Sequence, residues 1–166
     1  MFNNVFNQMR KQLTQIDVWF EKTAAYAKTR NFDPNSLLNV RLAPDMLPLA
    51  TQVRIACDTA KLAASRLTGK DAPVFEDTET TMAQLSERVA KTRAYLETVT
   101  DADLATSATR TISTPRWEGK TMTGQDYFME HAVPNFYFHV AMTYALLRHN
   151  GVDLGKKDYL GPLSLK

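Results

Sequence analysis

Four side chains with chemically useful groups recur every four residues near the C-terminal end of the chain. They are Tyr127, His131, Asn135 and His139. Side chains four apart share one face of an α-helix, so these groups could converge on one site. They could equally hydrogen-bond backbone or tyrosine groups in the core, because an unsatisfied buried polar group costs about 1–3 kcal/mol. Buried polar groups are usually satisfied in this way, which favours the second interpretation.

Gln52 is the residue of an earlier predicted helix that could complete such a site. It lies beside the apolar stripe of that helix, so its amide could reach His139 or could extend to solvent at the edge of the stripe. Asp45 and Asp58 are further candidates, and a helix cap and a solvated carboxylate explain them more simply.

Motifs of the common catalytic classes are absent from the chain, which has no HExxH, CxxC or GxSxG and no glycine-rich phosphate loop. A zinc site needs three or four ligands. The chain has three histidines, and His149 lies near a predicted helix end, where an imidazole suits the helix dipole. The single cysteine, Cys57, is predicted to be buried and unreactive. It rules out an internal disulfide and fits a reducing compartment, so a cytoplasmic location is expected.

The segment that carries the four polar residues, Tyr127–Gly151, is predicted to be a central buried helix. Between Ala132 and Leu147 it has no Asp, Glu, Lys or Arg, and apolar side chains appear on every side of the helical wheel. The run is shorter than the roughly 20 apolar residues that cross a bilayer. Pro134 lies in its interior and predicts a kink or break near His131.

Periodicity and cap residues predict four helices in one domain of residues 1–166. The helices cover about 2–30, 45–68, 78–99 and 124–150. The N-caps are expected at Asp45 for the second helix and at Asp77 or Thr78 for the third. Residues 106–122 are consistent with a short β-hairpin or an irregular arm, and the tail 152–166 has too many glycines and prolines for another helix. The pattern predicts an all-α, up-and-down four-helix bundle.

The charge pattern argues against nucleic-acid and membrane partners. The 20 basic and 18 acidic residues are well mixed, the formal net charge is +2, and no basic stripe stands out. The N-terminus has no basic region followed by a long apolar one, so no signal peptide is predicted.

Four segments of the chain have distinctive sequences: RLAPDMLPLATQVRIACDTAK (41–61), FEDTET (75–80), PNFYFHVAMTYALLRHNGV (134–152) and LGKKDYLG (154–161). Together they resemble an uncharacterised bacterial family, a domain of unknown function within the DinB/YfiT-like superfamily of metal-dependent enzymes. The resemblance spans nearly the whole chain and implies a four-helix bundle. It also implies a site where metal-binding relatives place one histidine on the second helix and an H-x-x-x-H pair on the last long helix.

The resemblance places three residues of this chain at those ligand positions. His139 matches the second histidine of the pair, Asn135 stands where the first would be, and Gln52 lies near the position on the second helix. One of three histidines is therefore retained. Zinc or nickel is the divalent metal that the resemblance implies, with His139 as its ligand, although amides are poor ligands for either ion.

Two classes of function follow. The first is an enzyme or degenerate enzyme with a small-molecule pocket around His139, since superfamily relatives include metal-dependent thiol transferases and isomerases. His139 would then be a metal ligand or, without metal, a general base. The second is a non-catalytic structural or binding domain that forms a homodimer through helix faces, suggested by Trp19, Phe20 and Tyr26 on the first helix.

Overall fold

The computed structural model describes residues 1–166, and most of them are helical. The first three long helices are α1 (Phe2–Arg30), α2 (Leu49–Thr68) and α3 (Met82–Glu97). The fourth, α4, continues from Gly124 to His149 in three consecutive pieces: an α-helical turn (Gly124–Asp126), a π-helical segment (Tyr127–Ala132) and a longer α-helix (Val133–His149). A short helix, α5, follows at Lys156–Leu160.

Helix α2 packs mainly against α3 and α4, and α1 packs mainly against the same two helices and less extensively against α2. Their inner faces contribute to one cluster of 33 buried hydrophobic residues, with Trp19, Tyr127, Phe6 and Phe128 among its largest fully buried side chains. No helix is both long and apolar enough to span a membrane.

The second helix begins at Leu49, four residues later than predicted. Pro48 is its N-cap, in an extended conformation, and Asp45 lies in the preceding turn. The physical reason is that a proline disfavours helical geometry in the residue before it, which here is Leu47. Asp45 therefore has the chemistry of a cap but lies outside the helix.

The third helix also begins later than predicted, at Met82. Thr81 is its N-cap, and Gln84 forms a capping box by accepting from the Thr81 backbone N–H at 3.1 Å. Asp77, which was predicted as a possible cap, has a left-handed backbone with φ of 56° and ion-pairs with Arg88 instead. The N-cap, Thr81, therefore lies about one turn after the predicted caps, Asp77 and Thr78.

Helix α4 is buried on one face rather than all round. In its longer α-helical piece, Val133–His149, the buried positions are Phe136, His139, Val140, Thr143, Leu146 and Leu147. Phe138 lies on another face and is 51% exposed. Helix α4 therefore has more apolar residues than the core buries, and it is not a fully enclosed central helix.

The connection between α3 and α4 contains a minimal hairpin, one of the two options that the sequence left open. Strand β1 (Thr111–Ile112) pairs antiparallel with β2 (Met122–Thr123). Between them a 3-10 turn, Pro115–Trp117, forms the tip. At the C-terminal end of β2, the hydroxyl of Thr123 accepts a hydrogen bond from the backbone N–H of Asp126 and so caps α4.

The prediction of a helix-free tail was wrong, because α5 is held by contacts that local composition does not reveal. The Trp19 indole donates to the Asp158 carbonyl at 3.1 Å, and its ring stacks on Tyr159 with centroids 6.0 Å apart. Lys22 also ion-pairs with Asp158 at 2.6 Å. Trp19 and Phe20 are therefore core residues, which removes them as a surface for a second copy.

Cys57 lies on α2 with no exposed surface, as the sequence predicted. Burial raises the pKa of its thiol to about 12, and the nearby Thr92 and Arg88 offset only part of this effect. The thiol is therefore unionised and inaccessible in the folded protein.

Candidate functional site

Three polar contacts cross the interface between α2 and α4. They are Gln52 Oε1 with His139 Nδ1 at 2.7 Å, Thr59 Oγ1 with Asn135 Nδ2 at 2.7 Å, and Arg66 Nη1 with Tyr127 Oη at 2.9 Å. The α2 residues are seven apart, and their partners descend along α4. The two helices are thus antiparallel at this interface, and the contacts form a polar seam.

The first contact of the seam determines the tautomer of His139. The Gln52 amide nitrogen donates to the Leu47 carbonyl at 3.0 Å, so its oxygen faces the imidazole and accepts from Nδ1–H. Both side chains are buried, with exposed fractions of 2% and 7%. Burial lowers the pKa of His139. The imidazole is therefore neutral, with its proton on Nδ1.

The second contact separates Asn135 from that pair. Its amide nitrogen donates to the hydroxyl of Thr59 rather than pointing toward His139 or Gln52. The resemblance places Gln52, Asn135 and His139 at the ligand positions of one metal site. In the structure they instead belong to two separate hydrogen bonds, Gln52 with His139 and Asn135 with Thr59. The hypothesis of one converging trio does not describe this geometry.

A cavity of about 390 Å³ opens beside the part of the seam that contains the Thr59–Asn135 and Arg66–Tyr127 contacts. Its walls come from α2, α4 and the tip of the hairpin. The lining comprises Ile55, Asp58, Thr59, Leu62, Arg66, Thr114, Pro115, Arg116, Trp117, Tyr127, His131 and Asn135. Three of the five residues predicted for a pocket line it, and the other two, Gln52 and His139, do not.

The π-helical segment positions Tyr127 and His131 at this cavity. Tyr127 and His131 are four residues apart, about one turn of this segment, and therefore lie on the same side of the helix. Their rings accordingly stack with centroids 5.6 Å apart and an interplanar angle of 22°. The segment ends at Ala132, two residues before Pro134, whose missing N–H cannot donate to the regular α-helical ladder. The sequence predicts a kink or a break near His131; the helix is unbroken there and contains a widened π-helical turn, which keeps His131 beside Asn135.

The hairpin tip completes the aromatic wall. The Trp117 indole meets Tyr127 edge-on at 6.0 Å and His131 edge-on at 5.8 Å. Tyr127 is 1% exposed, whereas Trp117 is half-buried and His131 is exposed. One side of the cavity is therefore a rigid aromatic surface that solvent can reach.

The charges around the cavity are unbalanced. The carboxylate of Asp58 lies 2.9 Å from Lys61 Nζ and 2.8 Å from Arg88 Nη2, and neither of these residues lines the cavity. Arg66 and Arg116 form no ion pair. The cavity therefore has two cationic side chains without an anionic partner.

The pKa of His131 is lowered, first by its partial burial and then by the charges of Arg66 and Arg116. Burial also raises the pKa of Tyr127, and its hydrogen bond with Arg66 offsets part of this effect. At neutral pH the imidazole and the phenol are thus both uncharged. The positive potential comes from the arginines alone.

The residues at the seam do not fit a metal site of the kind the resemblance implies. No group of three or more His, Cys, Asp or Glu side chains is close enough to hold an ion. Gln52 and Asn135 are already engaged in hydrogen bonds with His139 and Thr59, and amides are poor ligands for zinc or nickel. The polar side chains of the seam therefore form hydrogen bonds with one another rather than a set of metal ligands.

Sequence reasoning missed Thr59, Arg66, Arg116 and Trp117 at the cavity. A signal for two of them was present, because Thr59 and Arg66 follow Gln52 at intervals of seven on a helix whose stripe faces α4. The other two lie on the hairpin tip, and no periodicity relates that tip to the helices. His149 is exposed at the end of α4, away from the seam.

Comparison with known proteins identifies a matching family and a similar solved structure. The model of a family described as a domain of unknown function, DUF1993, matches residues 1–160. The structure is similar to a crystal structure of a DinB family member protein from Shewanella denitrificans, with a TM-score of 0.95 and 46% sequence identity. The match covers 99% of this chain and 97% of that one. No curated protein matches the sequence.

Proposed function

This chain belongs to the DUF1993 family of domains of unknown function, and from that premise we propose that it binds a small molecule in the cavity between α2, α4 and the hairpin tip. The observation that carries the proposal is the combination of an open cavity with basic side chains that no carboxylate neutralises. Arg66, Arg116 and His131 line it without a carboxylate partner of their own. Ligand sites are typically apolar concavities with a few directed polar groups.

The proposal assumes a single four-helix domain in the up-and-down arrangement that the sequence predicts. The packing of α2 against α3 and α4, and of α1 against the same pair, supports this arrangement. Antiparallel contact between α2 and α4 also supports it. In such a bundle, a cavity between two facing helices is a common location for a ligand.

Binding at the cavity is proposed to be independent of metal. The hydrogen bond between His139 and Gln52 lies outside the cavity lining, and the cavity residues contribute arginine, amide, hydroxyl and imidazole groups. Elemental analysis of protein purified without an affinity tag tests this point. We expect less than one equivalent of zinc or nickel and the same content in His139→Ala; a full equivalent that His139→Ala loses would contradict it.

A cavity-filling variant tests the proposal directly. Ile55 lines the cavity, so Ile55→Trp should occupy it, whereas Leu42→Trp adds the same ring at a surface residue that is 45% exposed. Thermal unfolding is measured with a panel of small aromatic acids, amines and neutral compounds. We expect compounds that raise the Tm of the wild type and of Leu42→Trp and leave that of Ile55→Trp unchanged. Equal stabilisation of all three proteins, or of none, would refute the proposal.

A second candidate function is that of a non-catalytic domain that acts as a homodimer. The observation that favours it is an uncharged stripe on α4 outside the core, where Phe138 is 51% exposed and Ala141, Met142 and Ala145 are half-buried. These positions follow i, i+3, i+4, i+7 spacing, which suits packing against another helix.

Sedimentation at micromolar concentration tests the homodimer. We expect a dimer for the wild type and a monomer for Phe138→Asp. Met129→Asp is the matched control, because Met129 is 48% exposed on the same helix and lies outside the stripe. A monomeric wild type would exclude the homodimer without affecting the cavity proposal.

A further inference from the structure

We infer that the ligand of the cavity is an organic carboxylate with a flat, mainly apolar body. The inference rests on the proposed small-molecule function and adds the chemical class of the ligand. Three observations carry it: the charge inventory of the lining, the geometry of the arginines, and the aromatic wall.

The charge inventory selects an anion. Of the three ionic residues that line the cavity, Asp58 is engaged by Lys61 and Arg88, neither of which lines the cavity. Arg66 and Arg116 remain unpaired, and both are close enough to lower the pKa of His131. A cationic ligand would have to compete for Asp58 against two resident cations. An anionic ligand meets two guanidinium groups that have no competing carboxylate.

The anchoring of Arg66 favours a planar acceptor. One of its terminal nitrogens donates to the hydroxyl of Tyr127, and that tyrosine is 1% exposed, so the guanidinium is held against a fixed point. Its remaining N–H groups keep the rigid fork that matches a carboxylate in two parallel hydrogen bonds. The hydroxyl of Thr59 and the amide of Asn135 lie on the same wall and add neutral polar groups.

The site lacks the features of a phosphate site. The lining comes from the sides of α2 and α4 and contains no N-terminus of a long helix, whose free N–H groups usually bind phosphate. Its remaining residues are largely aromatic or aliphatic: Ile55, Leu62, Pro115, Trp117 and Tyr127. A flat apolar body could pack on the indole and imidazole while its carboxylate meets the arginines.

Four probes separate the possible chemistries. Phenylacetate, phenylacetamide and phenethylamine are similar in size and differ in charge, and inorganic phosphate is a smaller anion without an apolar body. Binding is measured by NMR titration of the Trp117 indole resonance in Tris chloride at pH 8, where His131 is neutral. We expect phenylacetate to bind at least about tenfold more tightly than each of the other three, a difference of about 1.4 kcal/mol.

Arginine variants connect that preference to the proposed residues. Arg116 is exposed, so Arg116→Gln should fold normally and weaken phenylacetate binding about tenfold while changing phenylacetamide binding less than about twofold. Arg66→Lys keeps the charge and loses the fork, so we expect a smaller loss. Arg30→Gln removes an equally exposed arginine at the end of α1 and should have no effect.

The outcomes distinguish the inference from the function on which it rests. If the amide, the amine or phosphate binds at the cavity as tightly as phenylacetate, or if Arg116→Gln leaves the phenylacetate Kd unchanged, the carboxylate inference is wrong and the cavity function stands. If no probe shifts Trp117 and the thermal panel finds no ligand that Ile55→Trp excludes, both are wrong.

Discussion

At the scale of single residues, the contact between Gln52 and His139 shows how a polar pair can be accommodated inside a core. The amide of Gln52 uses both of its ends, donating to Leu47 and accepting from His139. Burial disfavours the imidazolium and lowers the pKa of His139 below its ordinary value of 6.5. This contribution to stability is therefore complete above pH 6.5 and is lost as the pH falls through the pKa of the folded state.

Two substitutions of Gln52 test this account. Gln52→Leu removes the acceptor and leaves Nδ1–H buried without a partner, so we expect unfolding by urea to show a loss of about 1–3 kcal/mol at pH 8. Gln52→Glu places a carboxylate beside the ring, so the pKa of His139, followed by NMR, should rise above its wild-type value. An unchanged His139 titration in Gln52→Glu would contradict the observed pairing.

The sequence permitted the contact between Gln52 and His139 as one of two options, because both residues border apolar stripes. It did not reveal that Asn135 turns toward Thr59. That choice depends on the relative height of α2 and α4, which places residue 59 opposite 135 and residue 52 opposite 139. Periodicity describes the face of one helix and carries no information about its axial register against another.

At the scale of secondary-structure elements, periodicity predicted α1, and the errors lie where chain stereochemistry or tertiary contacts decide. Pro48 delays the start of α2 through its steric effect on the preceding residue. Pro134 gives a π-helical segment rather than a break. The five residues of α5 depend on Trp19, which is more than a hundred residues away in the sequence.

Gly124 allows α4 to begin against the preceding loop. A Cβ atom at this position would lie 1.9 Å from the carbonyl oxygen of Ser107, whose hydroxyl donates to Leu67 at 2.7 Å. Gly124→Ala should therefore displace the start of α4 or the loop and destabilise the protein by about 1–3 kcal/mol in chemical denaturation.

Gly155→Ala is the matched control for this substitution. The nearest atom to its added Cβ would be Asp158 Oδ2 at 3.8 Å, and its φ of −120° suits any residue. We expect a change within about 0.5 kcal/mol. Equal stability of the two variants would show that the contact of Gly124 with Ser107 does not constrain the fold.

At the scale of the whole molecule, one arginine connects two helices to the long extended segment between them. Arg88 of α3 is 2% exposed and ion-pairs with Asp58 of α2 and with Asp77 and Glu79 of the segment. Although burial alone would raise the pKa of Glu79, the hydrogen bonds and charge of Arg88 lower it overall. The connection lacks regular secondary structure and is ordered by ionic contacts.

Replacing Arg88 with methionine should leave the carboxylates of Asp58, Asp77 and Glu79 without this cationic partner. We expect a loss of about 3–5 kcal/mol near neutral pH in urea unfolding. The wild-type contribution of Glu79 is present above its ordinary pKa of 4.5 and is lost as the pH falls through its lowered pKa, so the variant should depend less on pH in that acidic range.

Arg93→Met is the control for Arg88→Met, because Arg93 is on the same helix and forms a more exposed ion pair with Asp17 at 3.7 Å. Its loss should be at most about 1 kcal/mol. Similar losses in the two variants would show that burial of the Arg88 network adds little.

Because Cys57 is fully buried, the reactivity of its thiol can report the opening of the folded protein. Its sulfur is fully covered and its pKa lies near 12, so a thiol reagent at neutral pH can react only with molecules in which α2 has separated from its neighbours. Pulse labelling followed by mass spectrometry would thus count open molecules without an added dye or tag. Ligand at the cavity, whose lining includes the adjacent residue Asp58, should lower that count in proportion to its occupancy.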